Sequence, residues 1–244
     1  MKERIKEINE KLRDATPEKV LSSMIDDFPG KVVFSTSFGP EDQVITEMIS
    51  RIHKLVQIFT LDTGRMFQET YDLFQITRTR YKFDIAVYFP DSSRVETMVN
   101  KFGVNLFYDS VEKRKLCCEV RKVEPLSRAL KGMQVWISGR RREQSVTRSD
   151  LSLCEWDEGF GVIKVQPLFN WTEERLWDYI REFNIPYNPL HDKGFPSIGC
   201  FPCTRAILPG EDIRAGRWWW EINKNKECGI WKGKKNSDDP VGIS

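Results

Sequence analysis

Short apolar runs alternate along this chain with longer stretches whose hydrophobic residues recur at helical spacing. Residues 2–14 put Ile5, Ile8 and Leu12 on one face of a charged helix. Thr16-Pro17-Glu18 predicts a second helix, with a capping hydroxyl, a proline in the first turn and an early acid, ending near Phe28-Pro29-Gly30. Residues 31–35, 55–61, 83–89, 134–137 and 161–166 are brief runs rich in branched residues, the pattern of strands buried on both faces. Between them the spacing predicts helices opened by Pro40-Glu41-Asp42, over 66–80, and from Asp91-Ser92-Ser93 to about Phe102. A helical stretch begins at Cys117-Cys118, is interrupted by Pro125 and restarts to about Leu130; another runs from Trp171-Thr172 to about Phe183. Strand following helix following strand predicts an α/β fold: a single doubly wound domain with a mainly parallel central sheet flanked by helices.

After residue 185 the character changes. Prolines at 186, 189, 196, 202 and 209, with Gly194 and Gly199, predict an irregular segment that carries Cys200 and Cys203. Trp218 to Trp220 follow, then a lysine-rich stretch holding Cys228. No repeat or linker divides the chain further, so residues 1–209 are expected to form one domain including the cysteine segment. Residues 210–244 are expected to form a mobile C-terminal tail.

With 244 residues the chain can build one sizeable core, and 40% hydrophobic with 30% charged residues is ordinary for a soluble protein. A net charge of +2 gives no global reason to expect a nucleic-acid or membrane partner, and the clustered cations suit a small anion better. No apolar run approaches the roughly 20 residues needed to span a bilayer. The amphipathic start is unlike a secretory signal, and six cysteines without one point to the reducing cytoplasm.

The candidate chemistry centres on Lys113–Lys122, where Cys117 and Cys118 are adjacent among cations. Neighbouring cysteines make a strained disulfide, so the pair looks outward for partners. Cys200-Phe-Pro-Cys203 completes a four-thiolate set, which suits zinc or an iron–sulfur cluster equally by ligand type. The metal-free alternative is a buried reduced pair and an unrelated turn. Ser35-Thr36-Ser37-Phe38-Gly39 before a helix start resembles a phosphate loop, with hydroxyls, a permissive glycine and open amides, although it lacks the lysine and spacing of a Walker A loop. Asp62-Thr63-Gly64 ends the second strand where open α/β sheets bind ligands. Ser138-Gly139-Arg140-Arg141-Arg142 sets three arginines just past a strand end. The plain alternatives are polar turns and a solvated loop. Cys154 reads as a packing cysteine, and His53 and His191 as structural or surface residues.

In combination these motifs are specific. Ser-Thr-Ser-Phe-Gly-Pro-Glu-Asp, Leu-Asp-Thr-Gly, Cys-Cys-x-x-Arg-Lys-Val-x-Pro-Leu, Ser-Gly-x-Arg-Arg-x-Gln-Ser, Ser-Ile-Gly-Cys-x-Pro-Cys-Thr and Glu-Cys-Gly occur in that order between about residues 30 and 230. The chain resembles the assimilatory adenylyl-sulfate reductases of the iron–sulfur type, within the phosphoadenylyl-sulfate reductase family of nucleotide α-hydrolase-like folds.

That resemblance implies one 4Fe–4S cluster on Cys117, Cys118, Cys200 and Cys203, and Cys228 as the nucleophile that attacks adenosine 5′-phosphosulfate, releasing AMP. It implies thioredoxin or glutaredoxin as external reductant, in sulfate assimilation. Ser35, Ser37, Phe38 and Gly39 would meet the phosphosulfate, and Asp62, Thr63 and Gly64 the nucleoside. Lys122, Arg141, Arg142, Arg214 and Arg217 would hold phosphate and sulfate oxygens, Lys122 also coupling the cluster to the sulfate. Lysines 224, 226, 232, 234 and 235 would favour the Cys228 thiolate. Where the family has Leu-His after Glu-Cys-Gly, this chain has Ile230-Trp231, so that histidine's contact does not transfer. Phosphoadenylyl sulfate as sole or second substrate is the nearest alternative. An ATP-using tRNA-thiolation enzyme and a zinc-bearing nucleotide-binding module are more distant ones. A homo-oligomer is compatible with the sequence.

Overall fold

The computed structural model describes residues 2–52, 54–145, 148–222 and 230. Among them β1 (Val32–Ser35), β2 (Gln57–Leu61), β3 (Ile85–Tyr88), β4 (Val135–Ile137), β5 (Cys154–Asp157) and β6 (Val162–Val165) form one sheet in the order β3-β2-β1-β4-β6-β5. β1 lies parallel to β2 on one side and β4 on the other, with Val33 opposite both Gln57 and Trp136. β3 and β6 extend the parallel set, and only β5 runs antiparallel. The expected doubly wound, mainly parallel sheet is borne out.

Side chains of β1 alternate between two apolar layers, as pleating requires. Val32 and Phe34 join a core built with α1 (Lys2–Lys11), α2 (Pro17–Asp27), α3 (Pro40–Ile52), α4 (Gln68–Tyr81) and α8 (Glu173–Glu182). Val33 faces the opposite layer, with Trp136, Phe59 and Leu126 and Leu130 of α7 (Glu124–Leu130). Helix starts follow the predicted caps: Thr16 Oγ1 accepts from the Lys19 N–H at 3.3 Å and Thr172 Oγ1 from the Arg175 N–H at 3.1 Å. Asp91 does the same for α5 (Ser92–Phe102), accepting from the Arg94 N–H at 3.0 Å.

Two elements differ from the sequence expectation. The helix carrying the adjacent cysteines starts earlier, as α6 (Val111–Cys118) capped by Ser110, and passes through a π-turn (Glu119–Val123) into α7. Its charged face hides Arg114, which is buried, so the apolar period is not visible in the sequence. β5 is a polar edge strand without a hydrophobic run. Asn9 of α1 covers it, donating to the Cys154 carbonyl at 3.0 Å and accepting from the Cys154 N–H at 2.9 Å. Cys154 is buried in the core, where desolvation pushes its thiol up to about 12, consistent with a packing role.

Candidate functional site

From β1 the chain winds towards β2 and β3, whereas β4 is followed by β6 and β5 on the other side. The crevice beyond the carboxyl ends of β1 and β4 is therefore the switch point where open α/β sheets bind ligands. A cavity of about 780 Å³ lies there, walled by the loop after β1, the residues after β4, the irregular segment around His191–Gly199, and Lys122, Arg214 and Arg217.

The loop after β1 is closed on itself. Thr36 N–H donates to the Phe59 carbonyl at 2.8 Å, Phe38 N–H to Thr36 Oγ1 at 3.1 Å, and Ser37 N–H and Oγ both donate to Asp42 Oδ2, at 2.7 and 2.8 Å. Ser35 Oγ accepts from Trp136 Nε1 at 2.7 Å. The serines line the cavity, but their hydroxyls are engaged within the protein. The residue needing left-handed backbone is Phe38, at φ 59°, and not Gly39 as the sequence suggested. Burial of the Phe38 ring against Phe74, 5.2 Å between centroids, holds that conformation. Burial raises the Asp42 carboxyl to about 6, against the lowering effect of the Ser37 bonds. Gly139 packs against this helix start so closely that a Cβ would lie 2.8 Å from Glu41 Cβ and nearer still to the Asp42 carboxylate.

The arginines after β4 divide. Arg141 lines the cavity but is buried, its Nε donating to Glu41 Oε1 at 2.8 Å and its Nη1 to the Trp171 carbonyl at 3.1 Å. Arg142 turns away, donating from Nε to the Leu151 carbonyl at 2.8 Å with its guanidinium over Phe169, and is not part of the cavity wall. Arg140 and Arg148 line the cavity instead. Arg140 belongs to the same arginine run; Arg148 had no motif to reveal it. Arg214 and Arg217 also line the cavity, Arg217 lying over Gly199, whose missing side chain leaves room for the guanidinium.

Asp62 and Gly64 do not reach the cavity. Asp62 Oδ1 closes the turn, accepting from the Gly64 N–H at 2.7 Å and the Tyr71 hydroxyl at 3.0 Å. Thr63 does reach it, and on its other side Oγ1 lies 3.3 Å from Cys200 Sγ. Arg121 Nη1 donates to the Thr63 carbonyl at 2.7 Å, tying this turn to the π-turn.

Cys117 and Cys118 end α6, while Cys200 and Cys203 flank a short 3₁₀ turn (Phe201–Cys203). All four line one small void, together with Phe107, Pro202 and the cations Arg65, Arg114, Arg121 and Lys122. The sequence halves separated by some eighty positions are thus brought together. Burial pushes the Cys117 thiol up and that of Cys203 to about 12. Among the described residues no three of His, Cys, Asp and Glu converge as ligands of a single metal ion. Lys122 alone, among the described residues, lines both the void and the large cavity. Trp218 is buried beneath this region, and Arg114 stacks on it while donating from Nε and Nη2 to the Glu221 carboxylate at 2.7 and 3.0 Å.

Cys228, the neighbouring lysines, Trp231 and His53 lie outside the described residues. Ile230 is described and lines the large cavity. His191, read from sequence as structural or surface, also lines it.

Residues 31–206 match the model of the phosphoadenosine phosphosulfate reductase domain. This chain belongs to that family. It is 49% identical over 218 residues to an adenosine 5′-phosphosulfate reductase of Allochromatium vinosum, covering 89% of this chain and 85% of that one. To a protein of the same description from Burkholderia cepacia it is 50% identical over 200 residues, 82% and 80% of the two chains. Among solved structures it is similar to the phosphoadenylyl-sulfate reductase of Candida auris in a phosphate complex, with a TM-score of 0.74 and 33% identity over 84% of this chain and 98% of that one. FMN adenylyltransferase of Candida glabrata shares the fold at a TM-score of 0.55 and 15% identity, covering 95% and 77% of the two chains.

Proposed function

We propose that this protein reduces adenosine 5′-phosphosulfate to sulfite and AMP in sulfate assimilation, with thiols of thioredoxin or glutaredoxin as reductant. The observation that carries this reading is the shared wall: one lysine, Lys122, borders both a nucleotide-sized cavity at the switch point and a void lined by four cysteines. Near-half identity to proteins described as adenosine 5′-phosphosulfate reductases supports it.

The Cys228 thiolate attacks the sulfur of the phosphosulfate; a new S–S bond forms, the sulfur–oxygen bridge breaks, and AMP departs with the bridging oxygen. This leaves a cysteine thiosulfonate. A thioredoxin thiolate then attacks the Cys228 sulfur and sulfite leaves with the electron pair of the broken S–S bond. The second thioredoxin thiol resolves the mixed disulfide, so the two electrons come from the dithiol. Ile230, two positions after Cys228 in the sequence, lines the cavity. The expected tail of residues 210–244 is, over 210–222, part of the packed site wall, with Trp218 buried and Glu221 paired with Arg114, and on this reading the sequence beyond it supplies the nucleophile. Both reacting partners are anionic, so the cations Lys122, Arg214 and Arg217 screen their approach and hold the phosphosulfate oxygens.

Cys117, Cys118, Cys200 and Cys203 would hold a 4Fe–4S cluster. Four soft sulfur donors beside four cations fit such a group, and a lone zinc ion fits less well because no three donors converge on one point. When bound, the cluster supplies a fixed charge beside Lys122 and not the electrons of the reduction.

Sulfite release from adenosine 5′-phosphosulfate with reduced thioredoxin tests the reading. Cys228→Ser should abolish turnover while substrate binding and the visible absorption of anaerobically purified protein persist; continued sulfite production would refute the assigned nucleophile. The Candida auris neighbour favours a second reading, in which the 3′-phosphorylated nucleotide is a substrate as well. The ratio of kcat/KM on the two nucleotides separates them.

A further inference from the structure

A buried polar atom with no partner costs a folded protein free energy unless something from outside the chain completes it. Ser138 Oγ and His191 Nε2 are both buried and have no hydrogen-bond partner, and both residues line the large cavity.

Each is fixed by structure that leaves its polar atom open. Ser138 follows the apolar run Val135–Ile137 at the carboxyl end of β4 and is 2% exposed. Its backbone N–H donates to the Val165 carbonyl at 3.0 Å, so the ladder is complete and only the hydroxyl is left over. The next residue, Gly139, lies close against Glu41 and Asp42 at the start of α3. His191 opens a 3₁₀ turn (His191–Lys193), its N–H donating to the Asn188 carbonyl at 3.0 Å and its ring edge-on to Trp177, with centroids 5.8 Å apart. The polar side chains around it are already engaged. Asn188 donates to Thr70 Oγ1 at 3.2 Å and accepts from the Leu190 N–H at 3.0 Å, and the Tyr187 hydroxyl donates to Asp192. Burial lowers the imidazole's affinity for a proton.

Beside a wall that already presents Lys122, Arg214 and Arg217, an uncharged hydroxyl and a neutral imidazole add little for a phosphate or sulfate. They suit the uncharged hydroxyl and amine groups of a nucleoside. Building on the adenylyl-sulfate reading, we infer that Ser138 and His191 are nucleoside-contacting residues, whose open polar atoms are completed by hydrogen bonds to the ribose or the base.

An open atom of this kind predicts opposite effects on stability and binding. Ser138→Ala removes an unsatisfied group, so the thermal midpoint of the unliganded protein should hold or rise; His191→Phe also removes the ring's hydrogen bond to the Phe195 backbone, so its midpoint is not a readout. AMP affinity, measured calorimetrically on the anaerobically purified full chain, should fall about tenfold for each, the loss of one hydrogen bond. His191→Gln, which can offer a polar atom near the Nε2 position, should recover AMP affinity to within about threefold of wild type. Unchanged AMP affinity in both Ser138→Ala and His191→Phe overturns the inference while leaving the reductase reading intact. A midpoint that drops along with affinity in Ser138→Ala overturns it too, marking Ser138 as a structural support. Failure of the unaltered protein to bind AMP would overturn the adenylyl-sulfate reading itself and this inference with it.

Discussion

Replacing Asp42 with asparagine should stabilise the protein by an amount that grows with pH. The Asp42 carboxyl is raised from 3.8 to about 6, chiefly by burial and secondarily by the neighbouring Glu41, with the Ser37 bonds opposing. The folded state therefore binds this proton more tightly than the unfolded state does. Well below pH 3.8 the group is protonated in both states and costs nothing. As pH rises through the window between 3.8 and 6 the buried carboxylate must ionise, and stability is lost; above 6 the loss is complete. At 1.36 kcal/mol per unit, the full penalty is about 3 kcal/mol. Asparagine has the same shape and no such titration. The stability difference between variant and wild type should thus move in favour of asparagine by about 2 kcal/mol from about pH 4.5 to 7.5, then stay level. For a chain of this size that is roughly 4–8 °C in relative thermal midpoint. The variant can still accept from Ser37, but its amide meets the Gly139 N–H less well, which shifts the whole difference without changing its slope. Differential scanning fluorimetry of both proteins across this range, under anaerobic buffer, measures the slope. A difference independent of pH would refute the account of Asp42 as a carboxyl held against its own desolvation.

Arg141→Met should cost about 3–5 kcal/mol in urea unfolding, because Glu41 is left buried without its partner, and adding Glu41→Leu should restore most of it. Gly139→Ala should cost about 1–3 kcal/mol and weaken AMP binding, since the new methyl group collides with Glu41 and Asp42 at the start of α3; a wild-type melting curve would contradict the packing. Lys122→Met should raise KM for adenosine 5′-phosphosulfate about tenfold while changing AMP affinity less than about threefold, because Lys122 stands on the cysteine side of the cavity. Equal losses for both ligands would put Lys122 at the AMP phosphate instead.

The fold was legible because its central strands β1, β4 and β6 are buried on both faces and announce themselves as apolar runs, with caps at Thr16, Asp91 and Thr172 marking helix starts. β5 was not, since an edge strand pairing with Asn9 needs no hydrophobic pattern. The convergence of the four cysteines was legible from residue type and adjacency alone. Side-chain direction was not. Arg141 and Arg142 are neighbours in one basic run, yet one is locked to Glu41 and the other to the Leu151 carbonyl. His191 has no motif around it that marks a ligand contact; its significance is a missing partner, which a sequence cannot record.

The loop after β1 shows why the altered phosphate-loop sequence matters. A loop that gathers a pyrophosphate group needs its amides open at the helix start. Here the N–H groups of Thr36, Ser37 and Phe38 are all engaged, and a carboxylate of the chain itself, Asp42, occupies the Ser37 amide and hydroxyl. The negative charge at the start of α3 is thus internal, and Glu41 beside it is paired with Arg141. The cations that line the cavity include Lys122, which also borders the cysteine void, Arg214 and Arg217, and, after β4, Arg140, Arg141 and Arg148. A reaction that releases no pyrophosphate has no use for an open loop, and in this chain the helix start serves instead to fix Gly139 and the strand end behind it.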